Sequence, residues 1–297
     1  MASYLQLIRY KELLFIAFTL LAIKFGFFEP FGFNTALSTF EYSLLVIAVL
    51  CIAAGGSVML YIATNTSKKM IDTIISEQNA NKLFVVLNVI GVALGFYIAN
   101  HIGKSSFSSL FIIISALLYV YATYLKTIPF AGTLTVAILL FVVVIFPGIF
   151  DLLPVINVQN KVTQSTIFSI LLDYGILAFL LGILSEMIKD CRDMDTDHNT
   201  GAQTLPMLMG RDRTAKLGTL LALVPIIAVV LFTYNYLFQN TKAVIYVLVL
   251  VIAPLLYFAI KSWSAASKKD FLHLHYVIRF VMFTAVLSIA LYSTILK

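Results

Sequence analysis

Five carboxylates occur within twelve consecutive positions in the second half of the chain, which holds only fourteen acidic residues in 297. They are Glu186, Asp190, Asp193, Asp195 and Asp197. At about 100° per residue on a helix, all but Asp195 fall within one narrow arc. Like charges three or four positions apart destabilise a helix by about 0.2–0.5 kcal/mol per pair, so the arc indicates a positively charged ligand.

Mg²⁺ is the expected ligand of this acidic arc, because proteins bind it through one or two carboxylates, several waters and substrate phosphates. Basic side chains that could meet phosphate oxygens lie close by in the sequence: Lys189, Arg192, Arg211 and Arg213. The alternative interpretation is a solvated cytoplasmic loop of mixed charge. The arc is favoured because the acids continue a membrane helix in phase and the segment GAQTLP follows them.

The elements that must position these acids are membrane helices. The chain is 61% hydrophobic and 11% charged, with a mean hydropathy of +0.99, whereas soluble domains carry about 25% charged residues. A soluble globular protein is therefore excluded. Runs of about 20 apolar residues predict an all-α polytopic membrane protein of nine transmembrane helices, forming one domain over residues 1–297. The runs cover about 12–28, 43–63, 83–99, 107–125, 130–149, 166–188, 215–237, 243–261 and 274–295.

The net charge of +6 is explained by orientation. With the N-terminus in the cytoplasm, fourteen Lys and Arg residues fall on the cytoplasmic side and five on the other, which satisfies the positive-inside rule and requires no nucleic-acid partner. We expect a bacterial cytoplasmic (inner) membrane with the C-terminus outside. The longest cytoplasmic loops, about 64–82 and 189–214, then open on one face and are predicted to form the mouth of a site.

The segment EMIKDCRDMDTDHNTGAQTLPMLMGR resembles the second aspartate-rich motif of the UbiA superfamily of intramembrane prenyltransferases. That motif reads RE-x-x-KD-x-ED-x-x-GD, followed by a Gly, by TLP and by another Gly. The matching residues are Glu186, Lys189, Asp190, Asp193, Asp197, Gly201, Thr204, Leu205, Pro206 and Gly210. LIRYKELLFIA and LYVYATYLK also resemble family segments, and the nearest branch resembles geranylgeranylglycerol-phosphate geranylgeranyltransferase.

The resemblance implies a helical bundle that binds a polyprenyl diphosphate through Mg²⁺ and moves the prenyl group to a membrane-associated lipid acceptor. It implies that Asp190, Asp193 and Asp197 are metal ligands, and that Lys126 and Lys189 contact the diphosphate. No particular catalytic residue follows from it.

The family's first motif, roughly ND-x-x-D-x-x-x-D, is missing. Its expected positions hold Leu60, Tyr61, Thr64 and Lys68, and no acid stands between Glu41 and Asp72. We therefore expect one metal cluster instead of two, with Lys68 as a replacement contact for the diphosphate. Five further family positions also differ: Glu12, Thr133, Ser185, Arg192 and Thr196.

Two functions remain open at this point. One is a prenyltransferase of lipid biosynthesis that works with one metal cluster and lysines; the other is an inactive UbiA-fold pseudoenzyme that binds a polyprenyl lipid or a protein partner in the membrane. A transporter is disfavoured by the scarcity of charges within the predicted spans.

Several remaining residues have structural as well as functional interpretations. Asp173 is an intramembrane acid, for which a hydrogen bond and a substrate contact are equally plausible. Gly91 and Gly95 indicate close helix packing. His273, His275 and Arg279 are read as anchors at the membrane interface in preference to catalytic groups. Cys51 and Cys191 match no metal or redox spacing, and Cys191 is expected to be accessible in its cytoplasmic loop.

Overall fold

A computed structural model describes the backbone of residues 2–68, 76–200 and 203–291, and their side chains except at 2–3, 65–68 and 196–200. Within these ranges the chain is helical and contains no strand, as predicted. The α-helices are α1 Ala2–Leu7, α2 Tyr10–Leu21, α3 Thr39–Lys68, α4 Glu77–His101, α5 Ser108–Thr123, α6 Ala131–Pro147, α7 Lys161–Thr200, α8 Leu205–Met209, α9 Arg211–Phe232, α10 Thr241–Val247, α11 Ala253–Trp263 and α12 Lys268–Ala290.

π-helical segments extend or join several of these helices and so produce the full membrane spans. They are Ala22–Phe28 after α2, Gly148–Leu152 after α6, Thr233–Leu237 after α9, and Leu248–Ile252 between α10 and α11. In the described part of the chain, eight helical stretches are long and apolar enough to cross a bilayer. The predicted first span is also helical over residues 10–28 but carries Lys11, Glu12 and Lys24. The chain is an integral membrane protein.

The predicted cytoplasmic loops are largely helical. Helix α7 continues through Thr200, α8 follows at Leu205, and α9 begins at Arg211, so little of 189–214 is irregular. Helix α3 likewise continues to Lys68, and α4 begins at Glu77 after the N-cap Ser76, whose side chain accepts a hydrogen bond from the backbone N–H of Asn79.

The first compact unit comprises Met1–Leu21, Phe33–Leu125 and Phe146–Phe168. Its helices α3, α4 and α5 pack against one another through the glycines of α4. A Cβ at Gly91 would lie 2.6 Å from a side-chain carbon of Ile52 on α3, and a Cβ at Gly95 would overlap the ring of Phe111 on α5. The GxxxG motif is therefore a packing motif, as expected.

A polar contact also joins α4 to α5 in this unit: the Ser115 hydroxyl donates to the side-chain oxygen of Asn88 at 2.5 Å. At another position in the unit, the fully buried Asp151 accepts a hydrogen bond from the backbone N–H of Leu37 at 2.8 Å and thereby fixes the segment that leads into α3. Sequence reasoning did not single out Asp151.

The second compact unit comprises Ala22–Gly32, Lys126–Ile145 and Ser169–Lys297. Helices α9 and α11 pack together, with the hydroxyl of Ser262 donating to the carbonyl of Ala215 at 3.0 Å. The π-helical segment Ala22–Phe28 packs against α12, where a Cβ at Gly26 would overlap the backbone of Ala290. Lys24 of this segment is one of the five basic residues that the predicted topology places on the side opposite the cytoplasm. In the structure its side chain is buried in the protein.

Candidate functional site

The C-terminal part of α7 carries the predicted acidic arc on a continuous helix. Because α7 is unbroken through Thr200, the positions of Glu186, Asp190, Asp193 and Asp197 share one face. The side chain of Asp197 lies outside the described residues. Asp195 lies on the opposite face and is exposed over 74% of its side chain.

Basic side chains of the same helix already neutralise much of this arc. Lys189 forms an ion pair with Glu186. Arg192 binds both oxygens of Asp193, through Nε at 2.8 Å and a terminal nitrogen at 2.6 Å, which is the strong two-pronged arrangement of arginine and carboxylate. Lys268 at the start of α12 adds a further positive charge near Asp193. The arc is thus an alternating network of acids and bases.

The turn after the arc returns the chain to α7. Helix α8 begins after Thr204, whose backbone is extended, and ends at Gly210, whose φ of +84° is readily adopted only by glycine. Arg211 then donates to the backbone carbonyl of Cys191 at 3.0 Å and pairs with Asp195 at 2.7 Å. The TLP segment and the final Gly of the motif therefore place Arg211 where its contacts hold the start of α9 against α7.

The packing of α9 against α7 also bears on the location of the Cys191 thiol. The Cys191 side chain is 0% exposed, so the expectation that it is accessible is wrong. The sequence predicted a loop at this position, whereas the residue lies on helix α7 with its side chain facing into the protein.

Lys126 lies beside the motif within the second unit. Its neighbour Thr127 accepts a hydrogen bond through its carbonyl from the backbone N–H of Gln203 at 3.2 Å, directly before the TLP turn. Lys126 itself is half-buried. Of the predicted diphosphate contacts, Lys126 and Lys189 thus both belong to segments of this site.

His275 also belongs to this end of the second unit. It is 7% exposed, its Nδ1 has no hydrogen-bond partner among the described residues, and charges of Glu186, Lys189, Arg192 and Arg279 act on its ring. The neighbouring His273 is exposed and bonds to the hydroxyl of Tyr257 at 2.9 Å. Sequence reasoning grouped both histidines as interfacial anchors; only the packing of α12 distinguishes the buried residue.

The region of the missing first motif lies in the first unit and is apolar where it is described. Leu60 and Tyr61 pack against a buried cluster that includes Val58, Ile62 and Ala122. Thr64 uses its hydroxyl to donate to the carbonyl of Leu60 at 2.7 Å. The side chain of Lys68 lies outside the described residues, so its predicted contact with diphosphate stays a prediction.

The donor set at the acidic arc suits Mg²⁺ in chemical type, because Asp190 and Asp193 offer the hard carboxylate oxygens that this ion prefers. The fork of Arg192 on Asp193 competes for the same oxygens. Within the described side chains, no three His, Cys, Asp or Glu residues are grouped so that they could hold a metal ion. A metal at this site would therefore need oxygens from its substrate and from water as well.

Comparison with curated proteins identifies a related enzyme. The chain is 27% identical over 188 residues to digeranylgeranylglyceryl phosphate synthase of Methanosphaera stadtmanae. The matched part is 62% of this chain and 61% of the relative, so the chain spans about three fifths of that relative's length.

Comparison with solved structures supports the fold. A structure of digeranylgeranylglyceryl phosphate synthase in membranes superposes with a TM-score of 0.67 at 19% identity over 98% of both chains. A UbiA homologue from Archaeoglobus fulgidus, solved with DMAPP and Mg²⁺ bound, gives 0.59 at 14% identity over 97% of this chain and 99% of its own. At these identities the two likenesses establish the fold alone.

A match to the sequence model of a protein family covers most of the chain. The model of the UbiA prenyltransferase family matches residues 63–287, which include the acidic arc, the TLP turn and every helix from α4 to the greater part of α12. The chain belongs to the UbiA prenyltransferase family.

Proposed function

We propose that this protein transfers a polyprenyl group from its diphosphate to a membrane-associated acceptor, with one Mg²⁺ cluster at the acidic arc. The observation that carries the proposal is the unbroken end of α7, which holds Asp190 and Asp193 on one helical face beside Lys189. The relatives named digeranylgeranylglyceryl phosphate synthase support a glycerol phosphate that already carries one geranylgeranyl group as the acceptor.

In this function Asp190, Asp193 and Asp197 would hold the metal, and Lys189, Lys126 and Lys68 would contact the diphosphate. Bound Mg²⁺ would supply positive charge to the departing diphosphate. The carbon–oxygen bond of the donor breaks with its electron pair remaining on the diphosphate, and the acceptor oxygen forms the new bond to carbon and releases its proton. The guanidinium of Arg192 must release Asp193 and contact the incoming substrate instead, because it occupies both oxygens of the Asp193 carboxylate.

Loss of the first motif should weaken catalysis more than binding. At 4 Å and an effective dielectric constant near 20, two unit charges interact by about 4 kcal/mol. A lysine brings half the charge of Mg²⁺ and no rigid coordination. Only interactions that strengthen as the diphosphate departs accelerate the reaction, so substrate binding should survive while turnover falls.

A second candidate function is a pseudoenzyme that binds a polyprenyl lipid, or a protein in the membrane, without turnover. The apolar packing of Leu60 and Tyr61 favours it, because these positions serve the core of the first unit. The transferase and the lipid-binding pseudoenzyme share the prediction of diphosphate binding at α7.

A direct experiment separates the two. Purified protein in lipid nanodiscs is given radiolabelled geranylgeranyl diphosphate, Mg²⁺ and a total lipid extract, and both retained donor and prenylated lipid are measured. Asp190→Asn and Asp193→Asn should reduce Mg²⁺-dependent retention. Asp212→Asn is the matched control, because Asp212 pairs with Lys216 on the surface of α9. Retention without product supports the pseudoenzyme that binds a polyprenyl lipid. Absence of Mg²⁺-dependent retention contradicts both the transferase and that pseudoenzyme, and leaves only a pseudoenzyme that binds a protein.

We further propose that the acidic end of α7 faces the cytoplasm of a bacterial cell. In a variant without native cysteines, Asp212→Cys should react with an impermeant thiol reagent only in inside-out vesicles. Val158→Cys, at a residue that is 97% exposed before α7, should react only in right-side-out vesicles. The reverse pattern would overturn the orientation.

A further inference from the structure

A cavity lies within the second compact unit, at the ends of its helices that are remote from the acidic arc. Its volume is about 320 Å³, at the small end of the range for ligand pockets. It is enclosed by α7, by α9 and its π-helical extension, by the α10 region, and by the end of α12. Ile176 and Leu231 on its rim are 48% and 56% exposed, so it opens toward the lipid.

The polar groups of this cavity come from α7, from the π-helical extension of α9 and from α12. The hydroxyl of Tyr236 hydrogen-bonds to the carboxyl of Asp173. The hydroxyl of Tyr174 lies 2.8 Å from that of Ser288, which in turn donates to the carbonyl of Ala285 at 2.7 Å. Asn235 lines the same cavity. The rest of the lining is mostly apolar and includes Val229, Val247 and Val251.

The cavity is separate from the acidic arc. Asp173 precedes Asp190 by 17 positions on the continuous helix α7 (190 minus 173). At 1.5 Å per residue, about 25 Å of helix lies between them. A diphosphate bound at Asp190 therefore does not reach Asp173.

The charge of the lining residues restricts the ligand. Among the described residues that line the cavity there is no Lys, Arg or His, so an anionic group would meet the Asp173 carboxyl without a compensating cation from them. Intramembrane acids are generally paired, and within the described part of the chain the donor to Asp173 is the hydroxyl of Tyr236. The carboxyl has room for a further donor, and the Asn235 amide can both donate and accept.

We propose that this cavity binds a lipid whose headgroup is not anionic and carries an amine or a hydroxyl. The headgroup donates a hydrogen bond to Asp173 and bonds to Asn235, while its chain lies along the valine wall and leaves past Ile176 and Leu231. This site does not depend on the proposed transfer reaction. An alternative occupant, the far end of a prenyl chain, has no group with which to satisfy Asp173.

Three probes with one common chain test the proposal: oleylamine, oleyl alcohol and oleate. The purified full-length protein in detergent is mixed with equal amounts of the three, and bound lipid is measured by native mass spectrometry. We expect the amine and the alcohol to bind at least about fivefold more than oleate, which corresponds to one hydrogen bond made or lost. Equal binding of all three would overturn the proposal.

Substitutions in the cavity identify the residues that determine this selectivity. Asn235→Ala should lower amine and alcohol binding by about two- to fivefold, whereas Gln239→Ala, one turn away and outside the cavity, should leave both unchanged. Asp173→Asn preserves the shape of the side chain but removes its negative charge, so it should abolish the preference for amine and alcohol over oleate. Selectivity that survives both cavity substitutions would contradict the assignment. Displacement of oleylamine by geranylgeranyl diphosphate would show instead that a prenyl chain occupies the cavity.

Discussion

The ends of α3 and α7 occupy corresponding positions in the family's two motifs, yet their side chains have opposite roles. At the end of α3, Leu60 and Tyr61 pack into an apolar cluster. At the end of α7, Asp193 remains acidic and is bound by Arg192. The α3 positions at which the first motif is expected thus pack against an apolar cluster, whereas the α7 positions carry acids with basic partners on the same helix.

The difference shows that the two helix ends would respond differently to added carboxylates. The apolar side chains at α3 now contribute packing free energy to the first unit, so restoring acids there would remove a structural contribution. At α7 the acids are balanced by Lys189 and Arg192, so the helix is stable before a ligand arrives. In the proposed function, the acids of α7 are therefore the ones that exchange internal partners for a substrate.

The largest effect should come from restoring the first motif. Replacing Leu60 with Asn together with Tyr61→Asp should lower the free energy of unfolding by about 2–4 kcal/mol, because polar groups would be placed in apolar packing. Thermal unfolding in detergent measures the change. Thr64→Asp, one turn later and outside the cluster, is the control and should cost much less. An unchanged Tm with new turnover would contradict the assignment of these residues to the core.

The next effect concerns the acidic arc. Asp190→Asn and Asp193→Asn should each weaken Mg²⁺-dependent binding of geranylgeranyl diphosphate by about 10- to 100-fold, the range for a hydrogen bond or contact to a charged group. Filter binding with and without a chelator measures it. Affinities that do not respond to chelator would leave the arc as a solvated, mixed-charge surface.

A gain of function is expected at Arg192. Arg192→Glu removes the fork on Asp193 and supplies the carboxylate that the family carries at this position, so Mg²⁺ affinity should rise about three- to tenfold. Arg192→Gln separates the two causes, since it removes the fork without adding an acid. A fall in affinity with either variant would show that Arg192 supports ligand binding.

The smallest effect is expected at Asp195. The side chain of Asp195 is 74% exposed, so Asp195→Asn should change stability by less than about 1 kcal/mol and leave diphosphate affinity unchanged. Parallel melting and binding measurements test both statements. A loss of affinity equal to that of Asp190→Asn would place Asp195 in the site and remove the distinction between the two helix faces.

The sequence predicted the membrane helices and the phase of the acids well, because both depend on local periodicity. Helix α7 continues as the spacing of Glu186 and Asp190 indicated. The sequence did not reveal the burial of Cys191 or His275, because this depends on how α9 and α12 pack beside α7. It did not reveal the fork on Asp193 either, because the fork depends on the side-chain conformations of two adjacent residues of α7. The roles of Lys68 and Lys126 remain predictions for the same reason.

The contact between Gly26 and Ala290 has a consequence for biosynthesis. Almost the whole chain separates the two residues, and translation proceeds at about 5–20 residues per second. The segment Ala22–Phe28 is thus released from the ribosome tens of seconds before α12, its partner in the finished unit, exists. During that interval, until α12 has been made, the face of the segment toward α12 must be covered by lipid or by the insertion machinery.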